Sequence, residues 1–458
     1  MRAGTGPKRV PLRVADGFLL AYEALLQRTG QGGHVSSSVL ELERAPDLAQ
    51  LNRAAARVTE KHPLLVARLR RSWRTLLPYW EVPAGRVPPL PVGLWREAGS
   101  PGFLGTGAVQ VDSARTRLES VLAESLVVGG TEFNAKLDVA ELGNGRCLLA
   151  LSWRHVLLDG KGAELLLEEI ASLAGERELS ISVAAESSPR LSLQVASRVA
   201  KPALKRIQML ADEGVVSLGG AKPRRRRSRF QVTRLSLEDS RRVAAQAEGA
   251  TGALFPMSFY LACAARAHDR VLRHRRQQQF GQVISIPVQT RKRGARGPIF
   301  HNHVAIFFFS LKPVELSSVR TAALVLKQQF AEMSRAKLDE SFSAILELMS
   351  RLPASLFMRV VRWKFKGEIG SFFHSHTGSF APELREFAGA PITDAFHLPC
   401  VGTPPGTGIF FSERDYRLTI TFSWREGCLS EEERRLWVGQ TLEDAVGEPR
   451  PELIDAGL

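Results

Sequence analysis

The residues best suited to do chemistry are His155 and Asp159, four apart and followed by Gly160 and Gly162. A neutral imidazole can take a proton from a hydroxyl or an amine, and imidazole is the side chain whose unperturbed pKa leaves much of it neutral near pH 7. Such a base needs a rigid mount. The run Cys147 to Trp153 is apolar and alternating enough for a buried strand, which would carry His155 at its end. Gly160 and Gly162 then permit a tight turn before a helix. The same letters also fit a histidine at the core edge beside an aspartate that caps the next helix. Other clusters are weaker. His301 and His303 would share one face of a strand and could bind a metal, but no third ligand is near in sequence; His374 and His376 are similar. Cys147, Cys263, Cys400 and Cys428 are far apart, so neither a zinc site nor a disulfide framework is expected. There is no Gly-x-Ser-x-Gly elbow, Walker loop or dinucleotide fingerprint.

Several elements must position that histidine. Residues 130–142 read as a strand, paired through the Gly143-Asn144-Gly145 turn with the strand that ends at His155. After Gly162, residues 163–170 read as a helix packed by Leu166, Leu167 and Ile170. Upstream, residues 34–43 read as a strand, Pro46-Asp47 opens a helix that ends at His62-Pro63, and residues 64–69 read as another strand. Residues 78–108, rich in Pro and Gly, read as a surface loop. The pattern weakens between 186 and 229, where Lys222 to Arg229 is strongly basic. That stretch divides the chain into a first lobe (1–185), a basic linker (186–229) and a second lobe (230–458). The second lobe restates a strand-helix-strand plan: strands at 230–237, 283–291 and 302–311, helices at 238–247, from 255, 317–337 and 341–351, then strands at 408–412 and 416–424 and a helix from 429.

Composition narrows the class. The 458 residues could form one large domain or two to three of ordinary size. Hydrophobic residues at 44% and charged residues at 24% are those of a globular protein. The longest strongly apolar run, Val304 to Phe309, is far shorter than the roughly 20 residues of a spanning helix. No signal peptide is read at the basic N-terminus, and a reducing cytoplasm fits, with peripheral membrane contact left open. The net charge of +15 would attract an anionic partner. Nucleic acid is disfavoured, because the cations are spread along the chain and no aromatic side chains interleave with them. Coenzyme A, an acidic carrier protein or anionic lipid would answer the same charge.

His-x-x-x-Asp-Gly after a hydrophobic strand resembles the HHxxxDG motif of the chloramphenicol acetyltransferase-like superfamily. That group includes nonribosomal-peptide condensation domains, wax-ester/diacylglycerol acyltransferases and alcohol acyltransferases. Arg154 stands where the longer motif has its first His. Other blocks follow in the family's order: Pro46-Asp47-Leu48 through Lys61-His62-Pro63; Pro287-Val288 and Arg291, then Asn302, with His301 in place of a Gly; Ser375 to Phe380, similar to a Ser-Asn-x-x-Gly-Pro turn without its Asn and Pro; and two strands before Leu429-Ser430-Glu431-Glu432. The resemblance covers about residues 34–445; the plant-type Asp-Phe-Gly-Trp-Gly motif is missing.

This resemblance implies an α/β fold of two lobes, each a mixed sheet flanked by helices, with a tunnel between them and His155 midway. His155 would be the general base for attack of a small alcohol or amine on a thioester, either acyl-CoA or a phosphopantetheine thioester on an acidic acyl carrier protein. No bound cofactor is implied. Asp159 would be structural and paired with an arginine, Arg291 ahead of Arg154, and Gly160 would leave room in the tunnel. Ser152 and Asn302 could donate hydrogen bonds to the oxyanion or acceptor, or be ordinary strand polarity. A wax-ester or diacylglycerol O-acyltransferase at lipid surfaces, and a non-catalytic module that only binds a carrier protein, are the alternatives.

Overall fold

The computed structural model describes residues 7–456 apart from 106, 125, 129, 177–190, 223–226, 253–255, 278–280 and 293. The first-lobe sheet has seven strands in the order Glu386–Phe387, Ala390–Leu398, Val35–Leu42, Cys147–Arg154, Ala135–Glu141, Val92–Glu97 and Val109–Val111. It is mixed, since Val92–Glu97 runs parallel to both of its neighbours while the other pairs are antiparallel. Cys147–Arg154 lies at its centre, antiparallel to Val35–Leu42 on one side and to Ala135–Glu141 on the other. Hydrogen bonds on both edges hold the strand that delivers His155. Helices Leu48–Lys61 and Gly160–Ala174 pack against each other on this sheet, and Leu51, Val58, Leu166 and Ile170 share a core with Leu137, Leu149 and Leu151. Each such fully buried aliphatic side chain contributes about 1.5–3 kcal/mol.

The second lobe is built on a mixed four-stranded sheet, Ser228–Arg234, Arg417–Arg425, Thr407–Arg414 and Phe373–Ser379, of which the last pair is parallel. Helices Leu237–Thr251, Pro256–His274 and Glu431–Val446 cover it through Phe259, Ile420, Phe422, Trp437 and Leu442. A separate hairpin, Gln282–Gln289 with Val304–Leu311, carries Arg291 and Asn302 in its connection. The two-lobed α/β architecture is the expected one.

Several local expectations are corrected. Residues 63–66 form a 3₁₀ turn started by Pro63, and the strand begins only at Arg68. The Pro-rich stretch after 78 is not all loop: Pro78–Val82 and Val92–Glu97 are strands too short to show periodicity between prolines. Residues 375–379 belong to a strand and not a turn. Division of the lobes by contiguous sequence also fails at Ala390–Leu398, which leaves the second lobe to pair with Val35–Leu42. A crossover of this kind leaves no mark in local sequence, because its partner lies some 350 residues away. Conversely, helix Val14–Arg28 packs against Leu338–Met349 and Ala354–Lys364 of the second lobe. Helices Leu193–Val199 and Lys201–Glu213, within the expected linker, also pack on Leu338–Met349. The 185/186 boundary, the first six residues and most of the Arg run (223–226) lie outside the described residues.

Candidate active site

His155 sits immediately after the central strand, where its backbone N–H donates to the His34 carbonyl at 2.9 Å. It is half-buried and lines a cavity of about 770 Å³ between the lobes. The walls come from the N-terminal helix (Phe18, Tyr22), the first sheet (Ser36, Trp153), the second lobe (Phe373, Phe410) and the crossover strand (His397). Such a volume suits a small-molecule substrate. Nδ1 of His155 is buried without a hydrogen-bond partner, and the ring stacks on that of His34 at 4.9 Å. Burial holds the His155 pKa below the ordinary imidazole value, outweighing its own backbone, the Asp159 charge and the Asn302 amide, which act the other way. Burial, and then the neighbouring His155, push His34 lower still. Both rings are therefore neutral near pH 7.

The turn after His155 is locked from the second lobe. Arg291 Nη1 donates to both Asp159 carboxylate oxygens, at 2.9 and 2.7 Å, and the two side chains are only 3% and 7% exposed. The same carboxylate accepts from the backbone N–H groups of Gly162 and His303, each at 2.8 Å. The Gly162 contact caps helix Gly160–Ala174, so capping and ion pairing use one side chain. Arg291 also donates to the Pro298 carbonyl from Nε and Nη2 and to Gln289 from Nη1. Arg154 is not the partner: its guanidinium is held by both oxygens of Glu23 and by Glu132. Successive strand residues project to opposite faces, which separates it from the cavity side.

The two side chains that could serve either as donors or as ordinary strand polarity are both engaged within the protein. Ser152 is fully buried and does not line the cavity; its hydroxyl is bonded at 2.7 Å to that of Ser37, its cross-strand partner, which does. Asn302 reaches the cavity, but its Nδ2 already donates to the His155 carbonyl at 2.9 Å and to Asp16 at 2.8 Å. It holds His155 in place and is not a free donor. Gly160 lines the cavity, and a Cβ there would touch His397 and Thr377 at 3.8 and 4.0 Å, an ordinary contact. The glycine that packing demands is Gly162, whose Cβ would meet the Ile299 carbonyl at 2.2 Å.

The other histidine pairs do not gather ligands. His301 is bonded to Asp16 at 2.7 Å and His303 to the Phe300 carbonyl at 3.0 Å. Burial, with the Arg291 and Arg13 charges, lowers His303 to about 4. His374 and His376 both line the cavity, where burial and then His376 push His374 down to about 3. Among the described residues no group of three or more His, Cys, Asp or Glu is placed to hold a metal ion.

The structure adds residues that sequence did not single out. His34 was detectable in principle: it directly precedes the strand paired with Cys147–Arg154, in a register that sets Val35 opposite Arg154. A second network joins Glu164, His397 and Ser38. His397 Nε2 lies 3.2 Å from Glu164 Oε1, its Nδ1 lies 2.9 Å from Ser38 Oγ, and Lys161 donates to Glu164 at 2.8 Å. Burial opposes the Glu164 charge, but the hydrogen bonds from His397 and the Lys161 ammonium hold its carboxyl below the usual range. No sequence signal could have paired it with His397, which lies on the crossover strand.

No protein-family model and no curated protein matches the sequence. Solved structures do match over nearly the whole chain. The first condensation domain of the calcium-dependent antibiotic synthetase, in complex with a substrate analogue, is similar at a TM-score of 0.64 with 19% identity, covering 98% of this chain and 99% of that one. Trichothecene 15-O-acetyltransferase from Fusarium sporotrichioides gives 0.67 with 11% identity, covering 98% and 97%. The starter condensation domain of rhizomide synthetase, in complex with C8-CoA and Leu-SNAC, gives 0.62 with 13% identity, covering 98% and 97%. The chain has the two-lobed fold shared by condensation domains and chloramphenicol acetyltransferase-like proteins.

Proposed function

We propose that this chain is an acyltransferase, moving an acyl group from a thioester donor, acyl-CoA or a carrier-protein phosphopantetheine thioester, to a hydroxyl or amine acceptor. The observation that carries this reading is a neutral imidazole, clamped by Asn302 and by the Asp159–Arg291 latch, at the wall of a large inter-lobe cavity. Its support from the comparisons is the fold, which an O-acetyltransferase and condensation domains also adopt.

In this reading His155 Nε2 takes the acceptor proton, since Nδ1 is buried. The acceptor oxygen or nitrogen attacks the thioester carbonyl, the C–S bond breaks, and the imidazolium returns its proton to the departing thiolate. No covalent acyl-enzyme is required. A positioned base contributes about 10² to 10⁴-fold, and holding both substrates in one cavity supplies further acceleration. Lys292 and Arg296 line the same cavity and offer positive charge to a donor's phosphates.

The test is thiol release from a panel of acyl-CoA lengths with alcohols and amines, for the parent and His155→Ala. The variant should keep the parent's circular dichroism and lose about 10² or more in rate. Equal transfer by both proteins would refute the assignment of the base. No release from any thioester, with binding of an acylated carrier protein retained, would favour a non-catalytic module.

A further inference from the structure

Helix Ala354–Lys364 has two faces of opposite character. Inward, Phe357 and Met358 are buried and pack with Tyr22, Leu26 and Ile369. The Phe357 ring meets Phe18 edge-on at 6.2 Å, and Phe18 lines the inter-lobe cavity. Outward, Leu356, Val360 and Trp363 are exposed by 39%, 38% and 78%. Spacings of four and three residues put them in one stripe along the helix. Single exposed apolar residues are ordinary, but a row of three ending in an indole is not explained by packing.

Along this stretch of chain the charge has one sign. From Met349 to Gly367 the chain has no Asp or Glu and five cations: Arg351, Arg359, Arg362, Lys364 and Lys366. Among the described residues, only Arg351 has a carboxylate within 4.0 Å, that of Glu347 at 3.8 Å. Arg28, Arg359, Arg362 and Lys366 surround a cleft of about 460 Å³ beside Trp363. A second exposed tryptophan, Trp73 at 80%, lies on a turn that Arg71 ties to the carbonyls of Ser350, Arg351 and Leu352, just ahead of the helix.

We propose that this face docks on a lipid surface bearing anionic headgroups, with the helix lying in the plane of the interface. Leu356, Val360 and Trp363 enter the headgroup boundary, while the arginines and lysines extend their stems over apolar surface and meet lipid phosphates. A row of apolar residues ending in an indole, flanked along the helix by cations alone, is the pattern of a helix lying in a lipid interface. Docking in this way leaves this helix and the Phe18 ring between the lipid and the cavity. The proposal stands on the surface itself and holds whether or not the chain transfers acyl groups.

Vesicle flotation tests it, using phosphatidylcholine alone or mixed with phosphatidylglycerol. The parent should float with the mixed vesicles and much less with phosphatidylcholine alone, with a blue shift of tryptophan emission. Arg359→Glu with Lys366→Glu should weaken binding on the order of 10²-fold, and Val360→Ser with Trp363→Ser about tenfold or more. Both variants should keep the parent's melting temperature and its rate on a soluble short-chain thioester. Failure of the parent to float overturns the proposal. So does binding that Val360→Ser with Trp363→Ser leaves unaltered, which would reduce the effect to general attraction by a chain of charge +15. Capture of an acidic carrier protein on this face, with vesicles ignored, overturns it as well. A parent that floats but releases no thiol would refute only the acyl-transfer reading.

Discussion

Replacing Asp159 by Asn removes one charge from the latch and turns one of its two acceptor oxygens into a donor that faces Arg291 and the His303 N–H. The amide oxygen can still accept from the Gly162 N–H, so the helix cap survives, but Arg291 is left with its charge 3% exposed and opposite a neutral group. Breaking a buried pair from one side costs about 3–5 kcal/mol. With roughly 2.1 cal/mol/K of unfolding entropy per residue, 458 residues give about 1 kcal/mol per degree, so the melting temperature should fall by roughly 3–5 °C. Arg291→Met should also destabilise, since it strands the carboxylate and frees the Pro298 carbonyl. The double variant should cost less than the sum by about 0.5–3 kcal/mol, because neither charge is then left alone. Calorimetry of the four proteins measures this cycle. Strictly additive losses, or an Asp159→Asn protein melting within about a degree of the parent, would refute the latch. The turn it holds carries His155, so Asp159→Asn should lower kcat as well as stability.

Gly162→Ala should destabilise by about 1–3 kcal/mol despite its better helix propensity, because its Cβ is driven against the Ile299 carbonyl; Gly160→Ala, facing open cavity, should melt like the parent. Thermal melts of the two variants compare them directly, and equal losses would contradict the packing. The acid limb of the pH–rate profile should have its midpoint below 6.5: burial depresses the His155 pKa, so the neutral form that the proposed base requires persists to lower pH and is lost only as pH falls through the depressed value. A midpoint above 7 in kcat/KM would show that the titrating group is not this imidazole.

Much of the first lobe was legible because its signals are local. The Gly143-Asn144-Gly145 turn brings Ala135–Glu141 and Cys147–Arg154 into an antiparallel pair with Cys147 opposite Glu141. Asp47 and Ser430, which read as helix starts, both cap through their side chains, Asp47 accepting from Ala49 and Gln50 and Ser430 from Glu433. Helix Ala354–Lys364 was missed, since it follows Pro353 and its apolar residues lie on both faces, blurring the period that marks a one-sided helix.

The sequence by itself determined that His155 ends a buried strand and that Asp159 begins a helix, since both follow from hydrophobic alternation and turn chemistry within some fifteen residues. Resemblance of motifs added Arg291 as the partner of Asp159. What those polar groups are free to do was decided only by the tertiary structure. Ser152 is spent on Ser37, Asn302 on Asp16 and the His155 carbonyl, and His397 on Ser38 and Glu164. A polar side chain's availability depends on what every strand and helix packed around it offers. Those neighbours are set by registers between segments more than a hundred residues apart, which no local pattern encodes.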